Sequence, residues 1–204
     1  MQVNLTCVAY HCVASCELEP GQWLVIIGCG GLGQLATQYA KAMGYKVIGV
    51  DINDDVLDVC KTQGADHVFN SRSNKNYVQE VRKLTKDGLG ADTVAVFSAA
   101  GAAYRSAPPL LKLGGVLMCV GLPAEGVTFD ALDIARGTFK VRGDSTGIPR
   151  RMPKAIDFIV KHNIRPEIET YQSLDDVPGM IESMKAGKST KKMVVQFLKH
   201  APTQ

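Results

Sequence analysis

Short apolar runs alternate with amphipathic stretches along the first two thirds of the chain. Each run spans three to six residues and is rich in Val, Ile and aromatic residues, which is typical of buried strands. The segments between the runs repeat their apolar residues with helical spacing. This alternation predicts a parallel sheet wrapped by helices. The predicted strands cover residues 23–27, 46–50, 67–69, 92–97, 116–120 and 139–141.

The segment between the first two strands has the clearest helical pattern. Its apolar residues recur at spacings of three and four, and Gly44 is placed to end the helix. Asn53 or Asp54 can cap a second helix that ends at Gly64, and a third helix is predicted over residues 77–86. The residues that share the buried face of the first helix are Leu32, Leu35, Ala36, Tyr39, Ala40 and Met43.

The pattern changes after Gly143. A loop over residues 145–153 leads into a predicted helix at 153–162, and a short strand is predicted at 167–171. Ser173 and Asp176 predict a capping box at the start of another helix, and residues 193–197 form a last apolar run. These elements are too few to build a second core. We therefore predict two parts: residues 1–147, which include an N-terminal helix, and a small segment over residues 148–204.

Composition excludes several classes of partner. Of the 204 residues, 46% are hydrophobic and 21% are charged, so the chain can bury a full core. The net charge of +3 comes without a basic stripe, which argues against nucleic acid as a partner. No apolar run approaches the length of a membrane span. The six scattered cysteines predict reduced thiols in a cytoplasmic protein rather than a disulfide framework.

A glycine-rich turn joins the first predicted strand to the first predicted helix. Gly28, Gly30 and Gly33 form the pattern G-x-G-x-x-G, and Asp51 follows Gly33 by 18 residues (51 − 33) at the end of the second strand. This arrangement is typical of the dinucleotide-binding (Rossmann) unit, a doubly wound six-stranded parallel α/β fold. The pyrophosphate binds at the helix N-terminus, and the carboxylate accepts hydrogen bonds from the ribose.

The segment after Asp51 bears on the choice of coenzyme. Residues 52–55 contain no Arg or Lys that would neutralise a 2′-phosphate, so NAD(H) is favoured over NADP(H). The coenzyme-binding residues predicted from the loop and from this strand end are Gly28, Gly30, Gly31, Leu32, Gly33, Asp51, Ile52 and Asn53.

Several ordered segments resemble the coenzyme-binding half of zinc-type medium-chain alcohol dehydrogenases, particularly the yeast and fungal enzymes. These segments are PGQWLVI, GGLGQLATQYAKAMGYKVIGVD, GADHVF, LGGVLMCVGLP and GDSTG, and the similarity runs over residues 5–198. The resemblance implies that Val120, Gly121, Ser145 and Thr146 lie near the nicotinamide carboxamide. It also implies that Ser98 lies near the adenosine ribose, and that Lys192 replaces an Arg that reaches the pyrophosphate.

The chain departs from this family at its N-terminal side. Family members carry a preceding catalytic domain with two of the three catalytic zinc ligands, which this sequence lacks, so we expect a truncated, zinc-independent protein. In one register Cys7 matches the third ligand and His11 replaces a Thr that contacts the nicotinamide, whereas a gapless register places Asn4 at the ligand position. Val56 stands where the family often has a ribose-binding Lys, and Pro108-Pro109 interrupts an expected helix.

A histidine and three cysteines near the N-terminus are the other candidates for chemistry. A zinc site there is disfavoured because these side chains do not share one helix face, and buried cysteine is ordinary in a core. We therefore predict no bound metal. His11 is a weak candidate for proton exchange with a carbonyl or hydroxyl group, and its alternative is a partly buried helix residue. The residues of this group are Cys7, His11, Cys12 and Cys16.

Three functions are compatible with these features. The first is an NAD-dependent dehydrogenase or reductase acting on a small carbonyl, alcohol or activated alkene. The second is a non-redox enzyme, such as an isomerase or cyclase, and the third is a non-catalytic NAD-binding module. By the resemblance, residues 139–143 form an edge strand that pairs with a two-fold mate, so we expect a homodimer or larger assembly. A partner chain that replaces the missing domain is an alternative.

Overall fold

The computed structural model describes residues 3–144, 149–186, 189 and 191–196. Eight α-helices and eight strands occur in these residues, linked by turns and short 3-10 segments. In chain order the elements are α1 Val3–Ala14, β1 Trp23–Ile27, α2 Gly31–Ala42, β2 Lys46–Asp51, α3 Asp54–Thr62, β3 His67–Asn70, α4 Tyr77–Leu84, β4 Ala91–Val96, α5 Gly101–Ser106, β5 Leu111–Cys119, α6 Ala131–Ala135, β6 Phe139–Gly143, α7 Met152–His162, β7 Ile168–Tyr171, α8 Val177–Lys185 and β8 Lys192–Val195.

Six strands form one parallel sheet in the order β3-β2-β1-β4-β5-β6, which confirms the predicted doubly wound α/β fold. The chain starts in the middle of the sheet and reverses direction between β3 and β4, so the carboxyl ends of β1 and β4 flank the crevice where ligands bind in such sheets. β6 is one edge, and no described strand pairs with its outer side.

Side chains of β1 show why its apolar run is continuous. Leu24 and Ile26 face a core cluster shared with α1, α2 and α3, while Val25 and Ile27 face a second cluster shared with α4 and α5. Successive residues of a strand point to opposite faces, so a strand covered on both faces must be apolar throughout.

One predicted strand boundary moved, and one predicted helix interruption is present. β5 begins at Leu111 rather than at residue 116, and the pairing of β4 with β5 shifts register between Ala91 and Thr93. The glycines at 114 and 115 interrupt the apolar run of this strand in the sequence. α5 ends at Ser106, and a 3-10 turn over Pro108–Leu110 follows, as expected where a proline lacks an N–H for the helix.

The first compact unit ends at Arg165 and the second begins at Pro166, whereas the sequence placed the boundary between residues 147 and 148. α7 belongs to the first unit because Phe158 packs against two rings from that unit. Its ring centroid lies 5.2 Å from that of Tyr10 in α1 and 6.0 Å from that of Tyr39 in α2. Gln38 also donates a 2.9 Å hydrogen bond to the carbonyl of Arg165.

The second unit contains a two-stranded parallel sheet in which β7 pairs with β8. The predicted capping box is present: the Ser173 side chain and the Asp176 side chain cap each other's backbone at a 3-10 turn over Leu174–Asp176, directly before α8. None of the helices in the described residues combines the length and apolar character needed to cross a membrane.

Candidate functional site

The glycine loop follows β1 directly and adopts a conformation that only glycine accepts at its first position. Gly28 has a φ of +92°, and a Cβ there would lie 2.8 Å from the backbone nitrogen of Ser98. Its N–H donates a 2.9 Å hydrogen bond to the carbonyl of Val50 in β2. The loop is therefore held between the ends of β2 and β4.

The other two glycines of the motif, Gly30 and Gly33, have different structural roles. A Cβ at Gly33 would lie 2.1 Å from the carbonyl oxygen of Gly28, so α2 packs tightly on the loop. A Cβ at Gly30 would meet no atom within 4 Å, and Gly30 caps α2 without a side chain. The first N–H groups of a helix have no acceptor within it. The first turn of α2, from Gly31 and Leu32, therefore begins beside open space suited to an anion.

Asp51 at the end of β2 is held by three backbone donors. Its Oδ2 accepts a 2.7 Å hydrogen bond from the N–H of Cys29. Its Oδ1 accepts from the N–H of Ile52 at 2.7 Å and from that of Asn53 at 3.1 Å. The side chain of Asn53 caps α3 by accepting from the N–H of Asp55. The carboxylate is thus fixed in direction beside the glycine loop, and Oδ2, which accepts only one of these hydrogen bonds, keeps capacity for a further donor.

A cavity of about 410 Å³ opens between the loop and the ends of the neighbouring strands. It brings together four of the predicted residues, Gly28, Asp51, Ile52 and Ser98. Sequence reasoning missed the rest of its lining, although Ser71 and Arg72 follow β3 at the same sheet edge, which was a usable signal. The missed residues are Ile27, Val50, Ser71, Arg72, Tyr77, Ala100, Ala102, Ala103 and Ser106.

Val120 and Gly121, which the resemblance places near the nicotinamide, do not line this cavity. Val120 is buried in the core, and both it and Gly121 donate backbone hydrogen bonds to the carbonyl of Val96. A Cβ at Gly121 would lie 2.3 Å from the carbonyl oxygen of Ser98, so the segment after β5 approaches the segment after β4 closely. Ser145 and Thr146 lie outside the described residues. Lys192 begins β8 in the second unit.

Two titratable side chains near this site, Tyr104 and Cys29, have structural roles. The hydroxyl of Tyr104 donates to the carbonyl of Gly121, and burial raises the pKa of Tyr104 to about 12. The thiol of Cys29 lies within hydrogen-bond reach of the carbonyls of Ile26 and Val50, and its contact with the thiol of Cys60 together with burial raises the pKa of Cys29. Neither group exchanges protons readily at neutral pH. Cys29 contributes its backbone N–H to the site rather than its thiol.

His11 lies outside this cavity. It is 5% exposed, and its Nε2–H donates a 2.8 Å hydrogen bond to the carbonyl of Arg151. The thiol of Cys16 donates to the carbonyl of Cys12, one helical turn earlier. Within the described ranges no three side chains of His, Cys, Asp or Glu are grouped closely enough to hold a metal ion. These residues therefore do not fit the three-ligand zinc site of the resembled family.

Comparison with known proteins agrees with the geometry. A family model described as zinc-binding dehydrogenase matches residues 31–161, well over half of the chain. The chain belongs to the zinc-binding dehydrogenase family. This confirms the resemblance to the coenzyme-binding half of zinc-dependent alcohol dehydrogenases.

Solved structures of dehydrogenases match nearly the whole chain. The alcohol dehydrogenase of the hyperthermophilic archaeon Aeropyrum pernix is 27% identical, with a TM-score of 0.85 over 94% of this chain and 55% of that one. Cinnamyl alcohol dehydrogenase of Sorghum bicolor is 26% identical, with a TM-score of 0.79 over 94% and 52%.

An acetophenone reductase from Geotrichum candidum, solved with NAD, shares the fold at 24% identity. Its TM-score is 0.80 over 95% of this chain and 54% of that one. This chain therefore spans about half the length of the dehydrogenases it matches.

Proposed function

We propose that this chain binds NAD(H) at the glycine loop and acts as a dehydrogenase or reductase on a small carbonyl, alcohol or activated alkene. The observation that carries the proposal is the Asp51 carboxylate, held by the N–H of Cys29 beside the open space over Gly30. The coenzyme's two polar parts, pyrophosphate and ribose, need these two features side by side. When bound, NADH supplies a hydride from its nicotinamide ring.

The residues present fit the coenzyme. The absence of a side chain at Gly30 leaves space at the N-terminus of α2, where backbone N–H groups and the helix dipole favour phosphate. Asp51 would accept hydrogen bonds from the ribose hydroxyls, while Ser98 lines the same cavity. Ala100, Ala102 and Ala103 supply a small apolar wall, which suits the flat face of a purine.

We propose a preference for NAD(H) over NADP(H). A 2′-phosphate would lie against the Asp51 carboxylate, and three backbone hydrogen bonds hinder that carboxylate from turning away. Arg72 lines the same cavity and partly offsets this repulsion. The preference therefore depends on Asp51 and should weaken when Asp51 is removed.

We also propose that turnover by this chain proceeds without zinc. Polarisation of a carbonyl by zinc requires three protein ligands around the metal, and the described residues do not supply them. Without this Lewis acid, oxidation of simple alcohols should be slow, and reduction of activated carbonyls or alkenes is favoured.

The outer edge of β6 supports a proposal on assembly. Among the described strands none covers this edge, and Val141 is 40% exposed on it. Unpaired strand edges invite pairing with another chain. We propose that β6 pairs with a second copy of the chain in a homodimer or larger assembly. A different partner chain on the same edge is the alternative.

One observation favours a second candidate, a non-catalytic NAD-binding module. The coenzyme cavity is lined by no His or Cys, and the one carboxylate that lines it, that of Asp51, already accepts three hydrogen bonds. Apart from Asp51, Tyr77 is the one lining residue of a type that serves as a general acid, and it is buried at 8% exposure.

Loss of NADH absorbance distinguishes the two candidates. The full chain, treated with a metal chelator, is incubated with NADH and a panel of aldehydes, aryl ketones and enones. The proposed function predicts consumption of NADH that depends on both protein and acceptor. Saturable NADH binding without consumption for any acceptor would favour the binding module, and absence of NADH binding would exclude both.

A further inference from the structure

A second cavity, of about 360 Å³, lies between the C-terminal half of α1 and the start of α7. We call it the basic cavity. Four of its six lining residues are cationic or basic, and the other two present an aromatic ring and a methyl group. Its lining residues are Tyr10, His11, Ala14, Arg150, Arg151 and Lys154.

The charges around the basic cavity do not balance. Asp144 binds Arg151 through two hydrogen bonds, of 3.1 Å and 2.7 Å, and also accepts one from the hydroxyl of Ser15. Within the described part of the chain, Arg150 and Lys154 form no ion pair or side-chain hydrogen bond. The lining therefore carries three permanent cations, of which Asp144 neutralises one, and this leaves an excess of two positive charges.

Buried contacts fix the shape of this cavity. The side chain of Asp144 is only 8% exposed, so its pair with Arg151 is shielded from solvent and held in one direction. His11 donates to the carbonyl of Arg151, which ties the 3-10 turn Pro149–Arg151 to α1. Tyr10 adds an apolar wall beside His11, with ring centroids 5.0 Å apart. A basic rim over an apolar wall suits a small organic anion.

The basic cavity lies at the carboxyl edge of the sheet. Asp144 directly follows β6, and its N–H donates to the carbonyl of Cys119 at the end of β5. Asp51 lies at the end of β2, on the other side of β1. A dinucleotide laid across this edge with its adenosine at Asp51 directs its nicotinamide toward β4, β5 and β6. The basic cavity is therefore on the nicotinamide side.

We propose that the basic cavity binds the carboxylate of a small organic anion through Arg150 and Lys154. The substrate of this chain is then an oxo acid or its hydroxy acid, a statement that rests on the proposed function, whereas anion binding does not. Reduction adds a hydride from NADH to the carbonyl carbon and a proton from water to its oxygen. The products are the hydroxy acid, NAD⁺ and the hydroxide left from the water.

Calorimetric titration of the full chain tests this proposal. The probes are 2-oxoglutarate, its uncharged dimethyl ester, and inorganic phosphate. We expect 2-oxoglutarate to bind, the ester not to bind, and phosphate to bind more weakly than 2-oxoglutarate. In the double variant Arg150→Gln/Lys154→Gln the affinity for 2-oxoglutarate should fall at least about tenfold, because hydrogen bonds to charged groups are strong.

A matched control removes the same charge elsewhere. Lys83→Gln/Lys161→Gln changes two exposed lysines that do not line the basic cavity, and it should leave the affinity for 2-oxoglutarate nearly unchanged. Equal weakening in both double variants, no binding of 2-oxoglutarate at millimolar concentration, or tighter binding of phosphate would each overturn the proposal. If wild-type protein binds NADH but not 2-oxoglutarate, only this inference fails. If it binds 2-oxoglutarate but not NADH, the proposed function fails instead.

Discussion

The N–H of Cys29 donates a 2.7 Å hydrogen bond to Oδ2 of Asp51. This contact joins the second residue of the glycine loop to the acidic residue that ends β2. The proposed phosphate-binding turn and the proposed ribose-binding carboxylate are thus joined by a hydrogen bond within the protein itself. Preorganisation of this kind reduces the entropy lost when a ligand binds.

Two alanine variants of the motif should separate stability from coenzyme binding. In Gly33→Ala the new Cβ would lie 2.1 Å from a backbone oxygen, so we expect a loss of about 3 kcal/mol or more in unfolding free energy. In Gly30→Ala the Cβ meets open space, so stability should change by less than about 0.5 kcal/mol.

The same Gly30→Ala variant should bind NADH more weakly, because its methyl group would occupy the open space in which we propose that the pyrophosphate binds. Denaturant midpoints and NADH titrations of both variants check these expectations. A stable Gly33→Ala protein, or a Gly30→Ala protein with full NADH affinity, would show that the loop does not work as described.

Gly49 in β2 leaves space for two buried thiols. A Cβ at this position would lie 2.9 Å from the sulfur of Cys60 and 3.0 Å from that of Cys29. We expect Gly49→Ala to lower the unfolding free energy by about 1 to 3 kcal/mol through overpacking. The penalty should be smaller in a Cys60→Ala background, where one sulfur is gone. An equal penalty in both backgrounds, measured by urea unfolding, would contradict this packing.

The ion pair between Lys41 and Asp66 should make stability depend on pH. Burial acts to raise the pKa of Asp66, but hydrogen bonds from Lys41 and from the N–H of Val47 outweigh it and leave the pKa below its ordinary 3.8. A carboxyl group whose pKa is lowered by folding adds stability above its unfolded pKa. That stability is lost as the pH falls through the folded pKa.

Asp66→Asn should therefore be less stable than wild type near neutral pH, and the difference should shrink below about pH 4. Both side chains of the pair are 33% exposed, so the effect should not exceed about 1 kcal/mol. Urea midpoints across this pH range measure it, with the exposed Asp58→Asn as control. If the stability difference between wild type and Asp66→Asn stayed constant with pH, the lost stability would come from altered packing and not from the lost charge.

A charge on β6 should break the proposed assembly. Val141→Glu places carboxylates of two copies near each other at the edge strand, and like charges across paired strands are destabilising. We expect sedimentation to show an assembled wild type and a monomeric variant. Leu113→Glu is the control, because Leu113 is 80% exposed and lies near the N-terminal end of β5, outside the edge strand. A monomeric wild type would contradict the assembly.

The sequence predicted the sheet well because its strands are buried on both faces and are therefore apolar throughout. Its prediction that Gly28 and Asp51 lie together at one sheet edge agrees with the cavity that both line, because the glycine pattern and the acidic residue occur at one characteristic spacing. Arg72 was missed because residues that line a cavity from a loop follow no periodic pattern. The place of α7 was missed for another reason: the packing of Phe158 on Tyr10 joins segments far apart in the chain, and no local pattern reports such a contact.

The most direct test of the account is calorimetric titration of wild type and Asp51→Ala with NADH and with NADPH. We expect wild type to bind NADH saturably and NADPH more weakly, since the fixed carboxylate would face the 2′-phosphate. In Asp51→Ala, affinity for NADH should fall roughly tenfold, as expected for hydrogen bonds to a charged group, and the difference between the coenzymes should narrow because Arg72 remains. Equal affinity of wild type for both coenzymes, or no binding of either, would contradict the account.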